Sequence, residues 1–234
     1  MIAGMSSPSP LEGLILEGAP QRAPSLAEQA YDTLRKLIIS GDLNAGMTLS
    51  ENEFAKKFSI SRSPLREAIR RLQEEGLLDA SGPRGFRVPP LTADLVRQVY
   101  GVRLALECAA AHNAVVAPAD IAAMRAKMAS IRSDLDRGVT KSFTDSDFEF
   151  HDLFIVNCGN DMLIKQIRRL RNNVARIITF ADRFTEHIEL SYDEHVKILD
   201  ALADRDHDEA RAAVHTHVSN VTTRLMSHIE SRTG

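Results

Sequence analysis

SRSPLREAIRRLQEEGLLDASGPRGFRV, residues 61–88, decides how the first part of the chain folds. Ser61 is placed to cap a helix, and Pro64 falls in the first turn, where a missing backbone N–H costs little. Leu65, Ile69 and Leu72 then recur on one helical face until Gly76 ends the run. Two short apolar segments around a Ser-Gly-Pro-Arg-Gly tip follow, which is the pattern of a β-hairpin. Working back, Ser50 and Glu53 have capping-box spacing and open a short helix over 51–57. GDLNAGMTLS, residues 41–50, reads as a turn-rich connector. Ser25 and Glu28 open a further helix over 25–40, with Leu26, Ala30, Leu34, Leu37 and Ile38 at helical spacing and Gly41 at its end. Three short helices followed by a hairpin make a winged helix-turn-helix, whose third helix presents its first residues to the DNA major groove.

Charge agrees with that reading only when it is resolved along the chain. The 234 residues hold 29 Lys and Arg against 32 Asp and Glu, a net charge of -3 that does not favour nucleic acid. Residues 50–90 carry eight basic and six acidic side chains, a local balance of +2. Arg62, Ser63 and Arg66 lie at the start of the third helix, away from Leu65 and Ile69, where they can meet base edges and phosphates. Arg84 and Gly85 occupy the hairpin tip, suited to a neighbouring phosphate or the minor groove. A plain solvated face remains the alternative for these arginines.

Residues 1–24 hold four of the nine prolines and three glycines and read as a flexible tail. The Pro89-Pro90 pair marks a boundary, giving a winged-helix unit over 25–90 and a second unit over 91–234. The second unit is helical in pattern throughout, with helices near 92–116, 119–137, 142–157, 161–182, 188–204 and 206–231. The fold class is therefore mainly α, a winged helix joined to an antiparallel helical bundle. Apolar runs fall far short of the roughly 20 residues that span a bilayer, and the first residues lack a basic n-region, so a cytoplasmic protein is expected. Cys108 and Cys158 sit in apolar helical patterns and read as reduced core residues.

Four polar residues of the second unit fall on inward faces. Asp147 and His151 are four apart, on the face that also holds Phe143, Phe150 and Phe154. His195 shares a face with Ile198, Leu199 and Leu202, and His217 lies on the stripe of Ala210, Val214, Val221 and Leu225, whereas His215 faces outward. One carboxylate and three imidazoles directed into one bundle make an N3O set for a first-row metal, or alternatively a hydrogen-bonded polar network. Arg103 follows Val99 on an inward face, where it either pairs with Glu107, four residues on, or faces a ligand. Asn173, beside Leu170 and Ile177, is a weaker candidate for a polar pocket contact.

The stretch from Gly41 through Gly76 closely resembles the DNA-binding domain of the GntR superfamily of bacterial transcription regulators. It matches G-x-L-x-x-G-x-x-L-x-E and then I-S-R-x-P-L-R-E-A-I, with Phe54 standing where Leu is usual. The resemblance implies DNA contacts by Arg62, Ser63 and Arg66, with Asn52 on the second helix and Arg84 and Gly85 in the wing. D-x-x-x-H at 147–151, E-H-x-x-I-L-x-A-L at 194–202 and the later His217 look like the FCD effector-binding domain of the FadR subgroup. In metal-binding members those positions supply the ligands, which implies a divalent ion on Asp147, His151, His195 and His217, with Zn favoured over Ni or Mn. An Arg at the position of Arg103 faces the effector cavity in that family.

The expected function is a ligand-responsive DNA-binding regulator, a repressor, acting as a homodimer on an inverted-repeat operator in double-stranded DNA. Its effector is a small carboxylate held by the metal and Arg103, with Asn173 as a further contact. Its rivals are a direct metal sensor, a purely structural metal and a metal-dependent hydrolase. No general base stands out beside the cluster, so an enzyme is not expected.

Overall fold

The computed structural model describes residues 23–82, 85–181 and 188–233. Pro83 and Arg84 at the hairpin tip, and the tail up to residue 22, lie outside them. The first part runs α1 (Leu26–Ser40), β1 (Thr48–Ser50), α2 (Glu51–Phe58), α3 (Arg62–Glu74), β2 (Asp79–Ala80) and β3 (Gly85–Arg87). The second part is α4 (Ala93–Asn113), α5 (Pro118–Leu135), α6 (Lys141–Ile155), α7 (Asp161–Ala181), α8 (Ile188–Asp204) and α9 (His207–Thr233). None of the helices among the described residues is long and apolar enough to cross a membrane.

Local chemistry explains the ends of these elements unevenly. At α1 the Ser25 hydroxyl accepts from Glu28 N and the Glu28 carboxylate accepts from Ser25 N, closing the expected capping box. Ser50 and Ser61 precede α2 and α3, but neither side chain caps its helix, contrary to the spacing of Ser50 and Glu53. Ser50 is instead the last residue of β1, where its backbone pairs opposite Gly85. That strand corrects the reading of 41–50 as a connector alone. The sheet has the order β1-β3-β2, both pairings antiparallel, with Leu49 opposite Phe86. α3 ends where Gly76 takes φ 73°, and Leu77 N donates back to Leu72 O.

Two apolar cores form. Leu34, Ile38, Leu65, Leu72, Leu77 and Phe86 are at the centre of the first, which draws on α1, α3 and the sheet. The second gathers α4 to α9 around Phe150, Phe154, Ile177, Ile198, Val214 and Val218. α4 packs along α9, α9 also covers α8, and α7 lies between α4 and α1. The buried stripe of α4 is Val96, Val99, Tyr100, Arg103, Glu107, Ala110 and Ala111, so the spacing that packs the helix also carries an arginine and a glutamate inside. Both cysteines are free thiols; Cys158 is buried and Cys108 partly so.

Candidate functional site

The first helical turn of α3 is open to solvent. Arg62, Ser63 and Arg66 are all exposed, as is Asn52 in the first turn of α2. Leu65, Ala68, Ile69 and Leu72 are buried on the opposite face, which anchors α3 and turns the arginines outward. Arg62 has no ion-pair partner among the described residues, whereas Arg66 Nε lies 2.7 Å from Glu51 Oε2 and ties α3 to the start of α2. Gly85 has a structural reason of its own. A Cβ there would come within 2.4 Å of Ser81 O, so only glycine lets β3 pass the hairpin turn. Arg84 lies outside the described residues.

In the helical part α6, α8 and α9 bring together the four inward residues. His151, His195 and His217 are 1–3% exposed, and their nearest ligand atoms all lie within 4.8 Å of one another. His195 Nε2 is 3.3 Å from His217 Nε2, and Asp147 Oδ1 is 3.9 Å from His151 Nε2 and 3.8 Å from His195 Nε2. Donors on one ion with bonds of about 2.0–2.1 Å stand about 3.3 Å apart when tetrahedral. The His195–His217 spacing matches that value, and small side-chain shifts bring in the others. Asp147 Oδ2 is buried without a hydrogen-bond partner, an orphan that a cation would satisfy. The donor set thus fits a divalent ion.

The tautomers follow from the partners. A carboxylate only accepts, so His217 Nδ1 donates to Glu194 Oε2 at 2.8 Å and leaves the Nε2 lone pair on the cluster side. Arg103 Nη2 only donates, so His151 Nε2, 3.0 Å away, carries a lone pair as well. Its Nδ1 lies 2.8 Å from Glu107 Oε2, without the alignment of a good hydrogen bond. His195 is held by stacking, its ring 3.9 Å from that of Phe150 and 5.1 Å from that of Phe143. Burial pushes the pKa of His195 well below its ordinary value and lowers that of His217, although the Glu194 hydrogen bond opposes the latter. Neutral imidazoles are the form that binds metal.

The carboxylates behind the cluster stay charged. Burial alone would raise Glu107, but Arg103 and His151 outweigh it and bring its pKa to about 2. At Glu194 burial is outweighed by hydrogen bonds from His217, Arg224 and Asn220, again to about 2. Arg103 Nε donates to Glu107 at 2.7 Å, and Arg224 makes a forked pair with Glu194 at 3.0 Å. Asp147, His217 and Arg103 line a cavity of about 80 Å³, open to solvent at its mouth. Tyr100, Ser191, Arg224, Phe143, Ile188 and Leu225 are among its other walls. The Tyr100 hydroxyl is buried without a partner, and burial pushes its pKa up to about 12, so it stays a neutral donor.

Arg103 therefore does both things the sequence left open: it pairs with Glu107 and faces the cavity. Glu194, Arg224 and Tyr100 escaped the sequence reading. Arg224 is seven residues after His217, two turns along the same face, and Tyr100 is three before Arg103, so helical spacing held a signal for both.

Asn173 is not part of this cavity. Its amide donates to Glu75 O at 2.6 Å, on the seam between the two parts of the chain. Beside it Asn172 Nδ2 donates to Glu75 Oε2 at 2.6 Å and to the Tyr31 hydroxyl at 3.0 Å, while Asn172 Oδ1 accepts from Arg35 Nε. Tyr31 in turn donates to the Glu75 carboxylate at 2.9 Å. Arg176, a turn further along α7, donates through Nη2 to the carbonyl of Pro89. α7 thus holds the end of α3 and the connecting segment together. The stripe containing Leu170, Asn173 and Ile177 announced burial but not the element that covers it.

A winged helix with an exposed start to its third helix, joined to a helical bundle with a mostly apolar cavity that carries a few charged side chains, is the architecture of a two-part transcription regulator. Residues 26–88 match the family described as bacterial regulatory proteins, gntR family, and residues 98–220 match the FCD domain. The chain belongs to the GntR family of bacterial transcription regulators and carries an FCD domain. The Nta operon transcriptional regulator of Aminobacter aminovorans is 30% identical over 198 residues, covering 82% of this chain and 91% of that protein. The transcriptional repressor RspR of Escherichia coli K12 is 27% identical over 197 residues, covering 83% and 86%. Among solved structures, a GntR regulator from Rhodococcus sp. RHA1 superposes with a TM-score of 0.69 at 21% identity, covering 86% of this chain and 97% of that one. Regulators of this family bind DNA and small-molecule effectors and are not enzymes.

Proposed function

We propose that this protein is a metal-dependent, carboxylate-responsive repressor with a DNA-binding unit over 25–90 and an effector-binding and dimerisation unit over 91–234. It acts in the cytoplasm as a homodimer on an inverted-repeat operator, two recognition helices matching two half-sites. Arg62, Ser63 and Arg66, with Asn52, Arg84 and Gly85 as further contacts, read the operator. Asp147, His151, His195 and His217 would hold the ion, Zn first and Ni or Mn as alternatives. When bound, the ion supplies a Lewis-acidic position for an effector oxygen. Arg103 grips the effector carboxylate, and Tyr100 donates to another of its oxygens.

The observation that carries this reading is the convergence of three buried imidazoles and an under-satisfied carboxylate, of which His217 and Asp147 line a cavity, in a helical unit joined to a winged helix. Charge narrows the effector class. Arg103 is cancelled by Glu107 and Arg224 by Glu194, which leaves Asp147 with one negative charge. A divalent ion brings the wall to one net positive charge, which a monocarboxylate neutralises and a dicarboxylate overshoots. Release of the operator requires that the effector favour the DNA-incompetent arrangement.

Operator binding followed by fluorescence anisotropy tests the reading. The protein is stripped with chelator, reloaded with Zn, and titrated with a panel of mono- and dicarboxylates. Release by a monocarboxylate only in the Zn-loaded protein is the expected result. A response to Zn alone would establish a direct metal sensor, a reading that the same donor set supports. Unfolding on chelation with an unaltered ligand response would make the metal structural.

A further inference from the structure

We propose that the cleft between the end of α1, the segment after Pro89 and the last turns of α7 is a second ligand site, which takes an organic monocarboxylate with an apolar body on Arg176. The cleft has a volume of about 330 Å³, is open at its mouth, and shares no lining residue with the cavity beside the histidines. Arg176 lies in it and is only 7% exposed. Nη2 is used by the Pro89 carbonyl, but Nη1 is buried with no hydrogen-bond partner.

Two other well-buried arginines of the helical part set the standard. Arg103 sits on Glu107 and Arg224 on Glu194, so each guanidinium has its own carboxylate. Arg176 makes no ion pair among the described residues. Burial lowers its pKa, and Asp79 is the one acid that offsets the effect. A buried guanidinium with an idle donor and no carboxylate in contact is a costly arrangement that an anion relieves.

The walls choose which anion. Ile39, Leu43, Pro90, Leu91 and Phe180 make an apolar part of the lining, beside the polar Ser40, Asn44 and Thr179. A phosphate would lose its hydration against such walls and bring more charge than one guanidinium cancels. A carboxylate brings one charge, and an attached hydrocarbon covers the apolar walls. Both parts of the chain wall the cleft, so its occupant is coupled to their relative placement.

Calorimetric titration of the full-length protein with octanoate tests the site, with acetate as the head group alone and 1-octanol as the body alone. With the metal removed by chelator, octanoate is expected to bind more tightly than either, and to lose at least about tenfold in Arg176→Met. Arg176→Lys, which keeps the charge, should recover part of that loss. Thr179→Phe keeps Arg176 in place and narrows the cleft one turn along α7, and it should also abolish binding, which keeps the test decisive if Arg176→Met fails to fold. Absence of octanoate binding at millimolar concentration, octanol binding as tightly, or equal affinity in Arg176→Met would each overturn the proposal. Binding that appears only in the Zn-loaded protein and is kept in Arg176→Met would place the ligand in the histidine cavity and overturn it too. The site does not depend on the metal, so its failure would leave the reading of that cavity standing.

Discussion

Arg62 on α3 and Arg103 on α4 carry the same guanidinium in opposite settings. The first is exposed at a helix start and has no ion-pair partner among the described residues. The second is 4% exposed between Glu107 and His151, and burial is outweighed by Glu107, so its pKa is raised. An arginine in water keeps all its donors for a partner that arrives later, and losing it costs the fold little. A buried arginine is part of the fold before any ligand comes, because its carboxylate has lost water and depends on it. The exposed start of α3 and the buried stripe of α4 therefore respond differently to the same substitution.

The largest effect should come from Arg103→Met, which strands Glu107 in the core. It is expected to destabilise the helical unit by about 3–5 kcal/mol, visible as a lower midpoint in urea denaturation. Glu107→Gln in the same background should recover part of the loss, and no recovery would break the contrast drawn above. Glu194→Gln comes next. It keeps the shape but weakens the carboxylate behind His217, and it should reduce Zn affinity about 10- to 100-fold in a competition titration with a chelating dye.

Arg62→Ala should leave the urea midpoint unchanged while costing about 1–3 kcal/mol of operator affinity relative to random DNA. Equal loss on both DNAs would reassign Arg62 to a phosphate. Arg66→Ala is the smallest of the four. Its exposed pair with Glu51 is worth about 0–1 kcal/mol to stability, and its phosphate contact should lower the slope of log affinity against log salt by about 0.9. A large fall in stability would mean that the tie to α2 matters more than the contact with DNA.

What could be read from the chain in advance depended on period. The stripes of α4, α6, α8 and α9 repeat over many turns, so Arg103, Asp147, His151, His195 and His217 could be placed inward before any tertiary contact was known. β1 has three residues and no period to display; it exists because Phe86 and Arg87 offer a partner edge. Glu194 stands beside His195 in sequence yet acts on His217, 23 residues away, and only the packing of α8 on α9 reveals it. Ser50 shows the opposite failure, a correct local signal overridden by a ladder hydrogen-bonded from elsewhere in the chain.

The grip of α7 on Glu75 has a mechanical consequence. Glu75 is the residue at which α3 ends, and Arg62 is the one at which it begins, so the helix is a rigid rod held at its far end. Thirteen residues at about 1.5 Å each make that rod about 20 Å long. A tilt of about 10° at the held end then sweeps Arg62 through about 3.4 Å, the rise of one base pair along a strand. If the whole winged-helix unit tilts with α3 about Asn172 and Asn173, neither core need be disturbed for Arg62 to move by a full base-pair step.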